Sequence, residues 1–174
     1  MKVKEITVVS GKGGTGKTSL TAALAALAPG KLVLCDADVD APDLEILLHP
    51  DPRGEFPFMG MQTAGVDRDR CIGCGKCKEV CRFDAVVMAD GRALIDKTFC
   101  EGCSACTLVC PAACIAMEDT RQGTWYVGET ARGPMVHARL NPGGENSGML
   151  VQLVRKEARN IAGDKGMETI LTDG

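Results

Sequence analysis

The sequence is poor in aromatic and histidine residues, carries no excess of positive charge and has no long apolar run. Of its 174 residues only one is Trp, one is Tyr, four are Phe and two are His. The formal net charge is −3 and no basic arm stands out, so composition does not point to nucleic acid as a partner. No apolar stretch approaches the about 20 residues that a membrane-spanning helix needs. The apolar fraction of 45% is ordinary for a globular protein and allows one domain or two small ones.

Cysteine is abundant, and nine of the ten cysteines fall between residues 71 and 114. They form two combs with the spacing C-x2-C-x2-C-x3-C, "CIGCGKCKEVC" from residue 71 and "CEGCSACTLVC" from residue 100. The offset that relates Cys71 to Cys100 also relates further pairs: Gly73 with Gly102, Val80 with Val109, and Met88 with Met117. The segment is therefore an internal repeat.

Disulfides, zinc and iron-sulfur clusters are the alternatives for these thiols. No secretory signal pattern precedes them, so a cytoplasmic location with reduced thiols is expected. Zinc sites usually combine two C-x2-C pairs into one tetrahedron, whereas two four-cysteine combs supply the eight ligands that two cubane clusters need. The pattern therefore favours two 4Fe-4S clusters. Because the cysteine segment has little apolar bulk, we expect it to depend on those clusters for its structure.

The combs resemble those of bacterial-type ferredoxins, in which each cluster takes three close cysteines and a fourth from the other comb. The resemblance implies one cluster on Cys71, Cys74, Cys77 and Cys110, and a second on Cys100, Cys103, Cys106 and Cys81. The ninth cysteine, Cys114, corresponds to Ala85 in the first half, so it is not expected to be a required ligand. Cys35 lies in an apolar run and is predicted to be a core residue.

The stretch "SGKGGTGKTS" from residue 10 matches the phosphate-loop pattern G-x-x-x-x-G-K-S/T. A β-branched run precedes it, and an Ala- and Leu-rich helix follows and ends before Pro29 and Gly30. Glycines let backbone N–H groups converge on phosphate oxygens at the positive end of that helix. We predict that this loop binds ATP through Gly11, Gly13, Gly14, Thr15, Gly16, Lys17, Thr18 and Ser19.

Acidic residues end two other predicted strands. Asp36, Asp38 and Asp40 lie at the C-terminal end of the segment "KLVLCDADVD", and Asp173 lies at the end of "METILTDG". Ligands of parallel sheets bind beyond the carboxyl ends of the strands. Carboxylates at that edge can organise Mg²⁺ and orient an attacking water for phosphoryl transfer.

The run "GKGGTGKT" resembles the deviant phosphate loop of the MinD/ParA-type ATPases, which are related to the nitrogenase iron protein. In that family the additional lysine reaches across a nucleotide-sandwich dimer, so the resemblance implies an ATP-dependent homodimer in which Lys12 is catalytic. It also implies catalytic roles for Lys17 and, as the residue that orients water, Asp38. Mg²⁺ ligation is carried over to Thr18, Asp36 and Asp173, while the role of Asp40 is less determined.

These features predict an α/β fold: a P-loop NTPase core with a parallel sheet in residues 1–64 and 120–174, and an inserted α+β ferredoxin-like domain in 65–119. Alternating apolar positions around Trp125 and Met135 predict a hairpin. Apolar positions from Leu150 to Ile161 predict an amphipathic helix. The family continues beyond the strand that ends at Asp173, so the chain is expected to be the N-terminal part of such a protein, with an incomplete sheet.

The resemblance implies an ATPase whose nucleotide-dependent dimer governs electron transfer. It would act in metallocofactor assembly or anaerobic redox metabolism, with a redox or assembly protein as partner. ATP hydrolysis is expected of the extended protein, whereas these residues alone are expected to bind ATP weakly and to hydrolyse it poorly. Two alternatives remain: a non-enzymatic ferredoxin-type electron carrier, and a scaffold that donates its clusters. Fold does not choose between these functions.

Overall fold

The computed structural model describes residues 3–144 and 147–174. The chain divides into two compact units, Met1–Phe58 with Gln122–Gly174, and Met59–Arg121. Sequence analysis places the two boundaries between these units at 64/65 and 119/120. In the structure the chain passes from one unit to the other within two long strands, residues 51–66 and 115–130, rather than in loops.

The described residues form eight strands and five helices. The strands are β1 (Lys4–Val8), β2 (Val33–Asp36), β3 (Asp51–Val66), β4 (Val86–Ala89), β5 (Arg92–Ile95), β6 (Ile115–Thr130), β7 (Gly133–Leu140) and β8 (Thr169–Asp173). The helices are α1 (Lys17–Leu27), α2 (Leu44–Leu48), α3 (Lys76–Val80), α4 (Ala105–Val109) and α5 (Ser147–Asp164).

The first unit is built on a mixed, parallel-rich sheet with the strand order β1-β8-β2-β7-β6-β3. Pairings β1–β8, β8–β2 and β2–β7 are parallel, and β6–β7 is the predicted antiparallel hairpin. Val8 and Asp36 both pair with Asp173, which brings the carboxyl ends of three strands to one edge. The predicted α/β class with a parallel-rich sheet is confirmed.

Helices cover both faces of this sheet, as parallel strands require. On one face α5 buries Leu150, Val154 and Ala158 against Val33 and Val136. On the other face Ala25 of α1 and Leu44 of α2 join a second cluster with Leu32, which precedes β2, and the sheet residues Leu34, Met135 and Leu171. The predicted amphipathic helix is therefore confirmed as α5. Among the described residues, no helix is long and apolar enough to cross a membrane.

The second unit contains the short helices α3 and α4 and the antiparallel pair β4–β5. Its described core is small and consists of Ala64, Cys77, Val86, Ala93, Cys114 and Ile115. Helices α3 and α4 begin at Lys76 and Ala105. These two residues are separated by the same offset as Cys71 and Cys100, so the cysteine repeat is also a structural repeat. A core this small agrees with the expectation that the unit needs its metal clusters.

Candidate functional site

The first cysteine cavity lies in the second unit and is lined by four thiols from both combs. They are Cys71, Cys74, Cys77 and Cys110, the set that the sequence assigns to one cluster. Cys71 and Cys74 come from the loop that leads into α3, Cys77 lies in its first turn, and Cys110 follows α4 directly. The fold therefore brings the distant fourth thiol to the three close ones.

The second cavity shows the reciprocal arrangement. Cys100, Cys103 and Cys106 line it together with Cys81, which follows α3 directly. The two cavities are similar in size. Two similar cavities with four comb thiols each fit two groups of the same kind, as the dicluster pattern requires.

Backbone donors reinforce this fit. The N–H of Ala93 points to the sulfur of Cys71 at 3.5 Å, and the N–H of Ala64 points to the sulfur of Cys100 at 3.4 Å. Such donors favour a negatively charged sulfur, and the Ala93 N–H is the main reason that the pKa of Cys71 lies below its ordinary value. The offset between the combs also relates Ala64 to Ala93, so each repeat supplies one donor to the thiols of the other.

Close turns shape both cysteine loops. Gly73 and Gly102 have φ values of 70° and 62°, in the left-handed region that glycine adopts without strain. A Cβ on Gly73 would lie 2.2 Å from the carbonyl oxygen of Gly91, and one on Gly102 would lie 2.4 Å from that of Gln62. The residue just before the second cysteine of each comb must therefore be glycine, because a side chain there would collide with nearby backbone.

The two remaining cysteines have different surroundings. Cys35 is fully buried in β2, and burial raises the pKa of its thiol to about 12, which agrees with the predicted core role. Cys114 is buried and lines the first cavity, with its sulfur 3.5 Å from that of Cys110. The second cavity has Ala85 at the corresponding place.

The predicted phosphate loop lies in the first unit and lines a separate cavity with Gly13, Gly14, Thr15, Gly16, Lys17, Thr18, Ser19 and Asp38. Helix α1 begins at Lys17, directly after Gly16 with a φ of 88°. A left-handed turn followed by a helix N-terminus presents backbone N–H groups to an anion. The local geometry is thus suited to phosphate.

Lys17 lies between two carboxylates. Its Nζ is 3.2 Å from an oxygen of Asp38 and 3.2 Å from an oxygen of Asp173. Burial alone would lower the pKa of Lys17, but hydrogen bonds to Asp173 and Asp38 outweigh it and hold the pKa above its ordinary value. The hydroxyl of Thr18 donates to Asp173 at 2.7 Å and that of Thr21 donates to it at 3.0 Å.

Other residues of the predicted nucleotide site lie elsewhere. Gly11 and Lys12 are exposed and do not line the loop cavity. Asp40 is exposed. Asp36 is fully buried, and its two oxygens accept hydrogen bonds from the backbone N–H groups of Asp38 and Leu44.

The surroundings of Asp36 give it a structural role besides the predicted one, which stays a prediction. Burial raises the pKa of this carboxyl to about 7, and both oxygens already have backbone donors. The side chain holds the turn that positions Asp38 and the start of α2. We therefore do not include Asp36 among the ligands proposed for Mg²⁺ below.

One polar cluster in the first unit was not predicted. His137 Nε2 lies 2.6 Å from a Glu45 oxygen, Arg139 binds the other oxygen at 2.6 Å, and Tyr126 stacks on the imidazole. These groups, except Arg139, line a cavity beside α2. Glu45 and Arg139 are 94 residues apart, and no local pattern announces such a pair.

Comparison with known proteins identifies the cysteine segment. A family described as "4Fe-4S dicluster domain" matches residues 64–117. The chain is also 36% identical over 86 residues to Uncharacterized protein MJ0578 of Methanocaldococcus jannaschii. The aligned segment covers 48% of this chain and 31% of that protein. The alignment thus spans about a third of this relative's length. The family match supports an iron-sulfur, ferredoxin-like domain, for which the two cysteine cavities supply the ligands.

Proposed function

We propose that this protein is an ATPase of the MinD/ParA type whose nucleotide state governs electron supply from two 4Fe-4S clusters. The iron-sulfur domain suggests the electron-transfer half of this function. The nucleotide half is supported by one observation above all: Lys17, Thr18, Asp38 and Asp173 meet at the carboxyl edge of a parallel sheet beside a glycine loop. A lysine, a hydroxyl and carboxylates beside a glycine loop are the groups that phosphoryl transfer uses to bind phosphate and Mg²⁺ and to orient water.

Each residue of that set has a distinct proposed role. Backbone N–H groups from Gly13 to Gly16 bind the phosphates, and Lys17 binds the β- and γ-phosphate oxygens. Thr18 and Asp173 are the residues that would hold Mg²⁺, which neutralises phosphate charge when bound. Asp38 is partly exposed beside the cavity and orients the attacking water. Lys17 leaves its carboxylate partners for the phosphates when ATP binds.

Electron transfer requires that the clusters stay bound. All eight comb thiols line the two cavities, and donors from Ala64 and Ala93 support one thiol in each. When bound, each cluster carries one electron at a time. A site with four protein thiolates is suited to a retained redox centre, so we favour electron transfer over cluster donation.

Lys12 carries the proposed dimer. It is exposed and lies outside the cavity of its own loop, although Lys17 of the same loop lines that cavity. An exposed lysine beside an anion site is available to a second copy of the chain. We propose that it binds the phosphates held by the partner subunit.

Two variants in the same loop test the nucleotide function. The whole gene product is reconstituted anaerobically, its iron is counted, and Mg-ATP is titrated into wild type, Lys17→Ala and Lys12→Ala. Lys17→Ala should weaken ATP binding at least about tenfold, or about 1.4 kcal/mol. Lys12→Ala should retain binding but lose the dimer that an ATP analogue induces in sedimentation. Both variants should keep all their iron.

Other outcomes would redirect the proposal. If wild type holds its full iron and binds no Mg-ATP, the protein is a ferredoxin-type carrier. If a chelator removes iron only when Mg-ATP is present, it is a cluster donor. Equal ATP binding by wild type and Lys17→Ala contradicts the proposed phosphate site.

A further inference from the structure

The two cysteine cavities are lined largely by corresponding residues, so the lining positions that do not match are where the two cavities differ. The offset that relates Cys71 to Cys100 pairs every comb thiol of one cavity with a comb thiol of the other. The same offset relates the backbone donors Ala64 and Ala93 and the apolar residues Val86 and Ile115. The buried polar difference is Cys114, which occupies the place of Ala85.

The backbone around these two positions is the same in both halves. The residues that precede them, Asp84 and Ala113, have positive φ values of 52° and 45°. The carbonyl oxygens of Ala85 and Cys114 each accept a backbone N–H at 2.8 Å, from residues 96 and 67 respectively. Exposure is 1% at Ala85 and 5% at Cys114. A thiol at either position would therefore have the same backbone conformation and be buried to a similar extent.

The Cys114 thiol is close enough to act on the first cluster. Its sulfur is 3.5 Å from the sulfur of Cys110, and the first cavity already has four comb thiols without it. A free cysteine carries a weak S–H donor. A hydrogen bond to a cluster sulfur stabilises the additional negative charge of the reduced state, which raises the reduction potential.

We propose that Cys114 is not a ligand but a positioning residue that donates its S–H to the sulfur of Cys110 and makes the first cluster easier to reduce than the second. Glu101 favours the same order, since its exposed carboxylate belongs to the second cavity where the first has Ile72. The proposal rests on the iron-sulfur domain alone. Its test needs no nucleotide, so its failure is distinguishable from failure of the ATPase proposal.

Reciprocal variants isolate the thiol. The full chain is reconstituted anaerobically as wild type, Cys114→Ala, Cys114→Ser and Ala85→Cys, and the two reduction steps are followed by electron paramagnetic resonance at controlled potentials. Cys114→Ala should lower one step by at least about threefold in its equilibrium constant, or ~28 mV for a one-electron couple. Cys114→Ser keeps a donor and should retain the wild-type order. Ala85→Cys should raise the other step.

Two further measurements distinguish a donor from a ligand. Each variant should retain about eight irons per chain, as two 4Fe-4S clusters require. Reconstitution in D₂O should shift Fe–S stretching bands in resonance Raman spectra of wild type, and less so in Cys114→Ala. Loss of about four irons in Cys114→Ala would show that Cys114 is a ligand and overturn the proposal. Unchanged potentials in both Cys114→Ala and Ala85→Cys would overturn it as well.

Discussion

Adding one methyl group at Gly73 should remove the first cluster and leave the second in place. The new Cβ would lie 2.2 Å from the carbonyl oxygen of Gly91, more than 1 Å inside ordinary contact of about 3.4 Å. Gly91 belongs to the turn between β4 and β5, with Asp90 and Gly91 both at positive φ. Either that turn or the loop carrying Cys71 and Cys74 must move, and cluster ligation tolerates little movement.

A matched control separates this clash from backbone strain. Gly75 has a φ of 76°, similar to the 70° of Gly73, but a Cβ there meets no atom within 4 Å. Its counterpart Ser104 has a side chain at a φ of 63°. Both Gly73→Ala and Gly75→Ala therefore incur the left-handed cost of about 1–2 kcal/mol, and only the first adds a collision with the backbone.

Iron analysis after anaerobic reconstitution reads out the difference. Gly75→Ala should hold about eight irons per chain, and Gly73→Ala about four, because Cys100, Cys103, Cys106 and Cys81 are untouched. The four that remain should show the spectrum of a single cluster. If Gly73→Ala holds both clusters with wild-type resistance to a chelator, the proposed close approach is wrong. Equal loss in both variants would assign the effect to backbone strain alone.

Three further predictions concern stability. Thr21→Val removes a donor from the fully buried Asp173 and should lower the free energy of unfolding by about 1–3 kcal/mol in urea, while Thr21→Ser should restore most of it. Burial would raise the pKa of Glu5, but hydrogen bonds from Arg159 and Arg155 outweigh it and lower the pKa below 4.5. The stability that this shift supplies exists above pH 4.5 and is lost in more acid solution. Glu5→Gln should therefore reduce the change in the free energy of unfolding measured from about pH 6 to 3. Removing iron should abolish hydrogen-exchange protection in Met59–Arg121, and persistence of that protection would contradict a cluster-dependent core.

Long-range pairs account for most of what sequence analysis missed. β3 contains Pro52, Gly54 and Pro57, which argue against a strand by local preference. It forms nonetheless because it lies at the edge of the sheet, where a missing N–H is tolerated. The pair of Glu45 and His137 could not be predicted either, because local sequence patterns relate residues that are close along the chain and this contact joins α2 to β7.

By itself the sequence determined the features that depend on spacing over a few residues. The two combs indicated two iron-sulfur clusters because ligand spacing is a local property, and the family match supports that domain. Strand and helix periodicity indicated the parallel-rich sheet in the same way.

Only the tertiary structure decided which distant groups meet. It placed Cys114 beside the Cys110 sulfur, whereas the meeting of Cys110 with the first comb and of Cys81 with the second was already implied by the ferredoxin resemblance. It also buried Asp36 against backbone donors, although its spacing from Asp38 suggested a shared role. The physical reason is that burial and contact depend on packing between elements: Asp36 is the last residue of β2 and is buried there, whereas Asp38 lies beyond the end of the strand and is partly exposed.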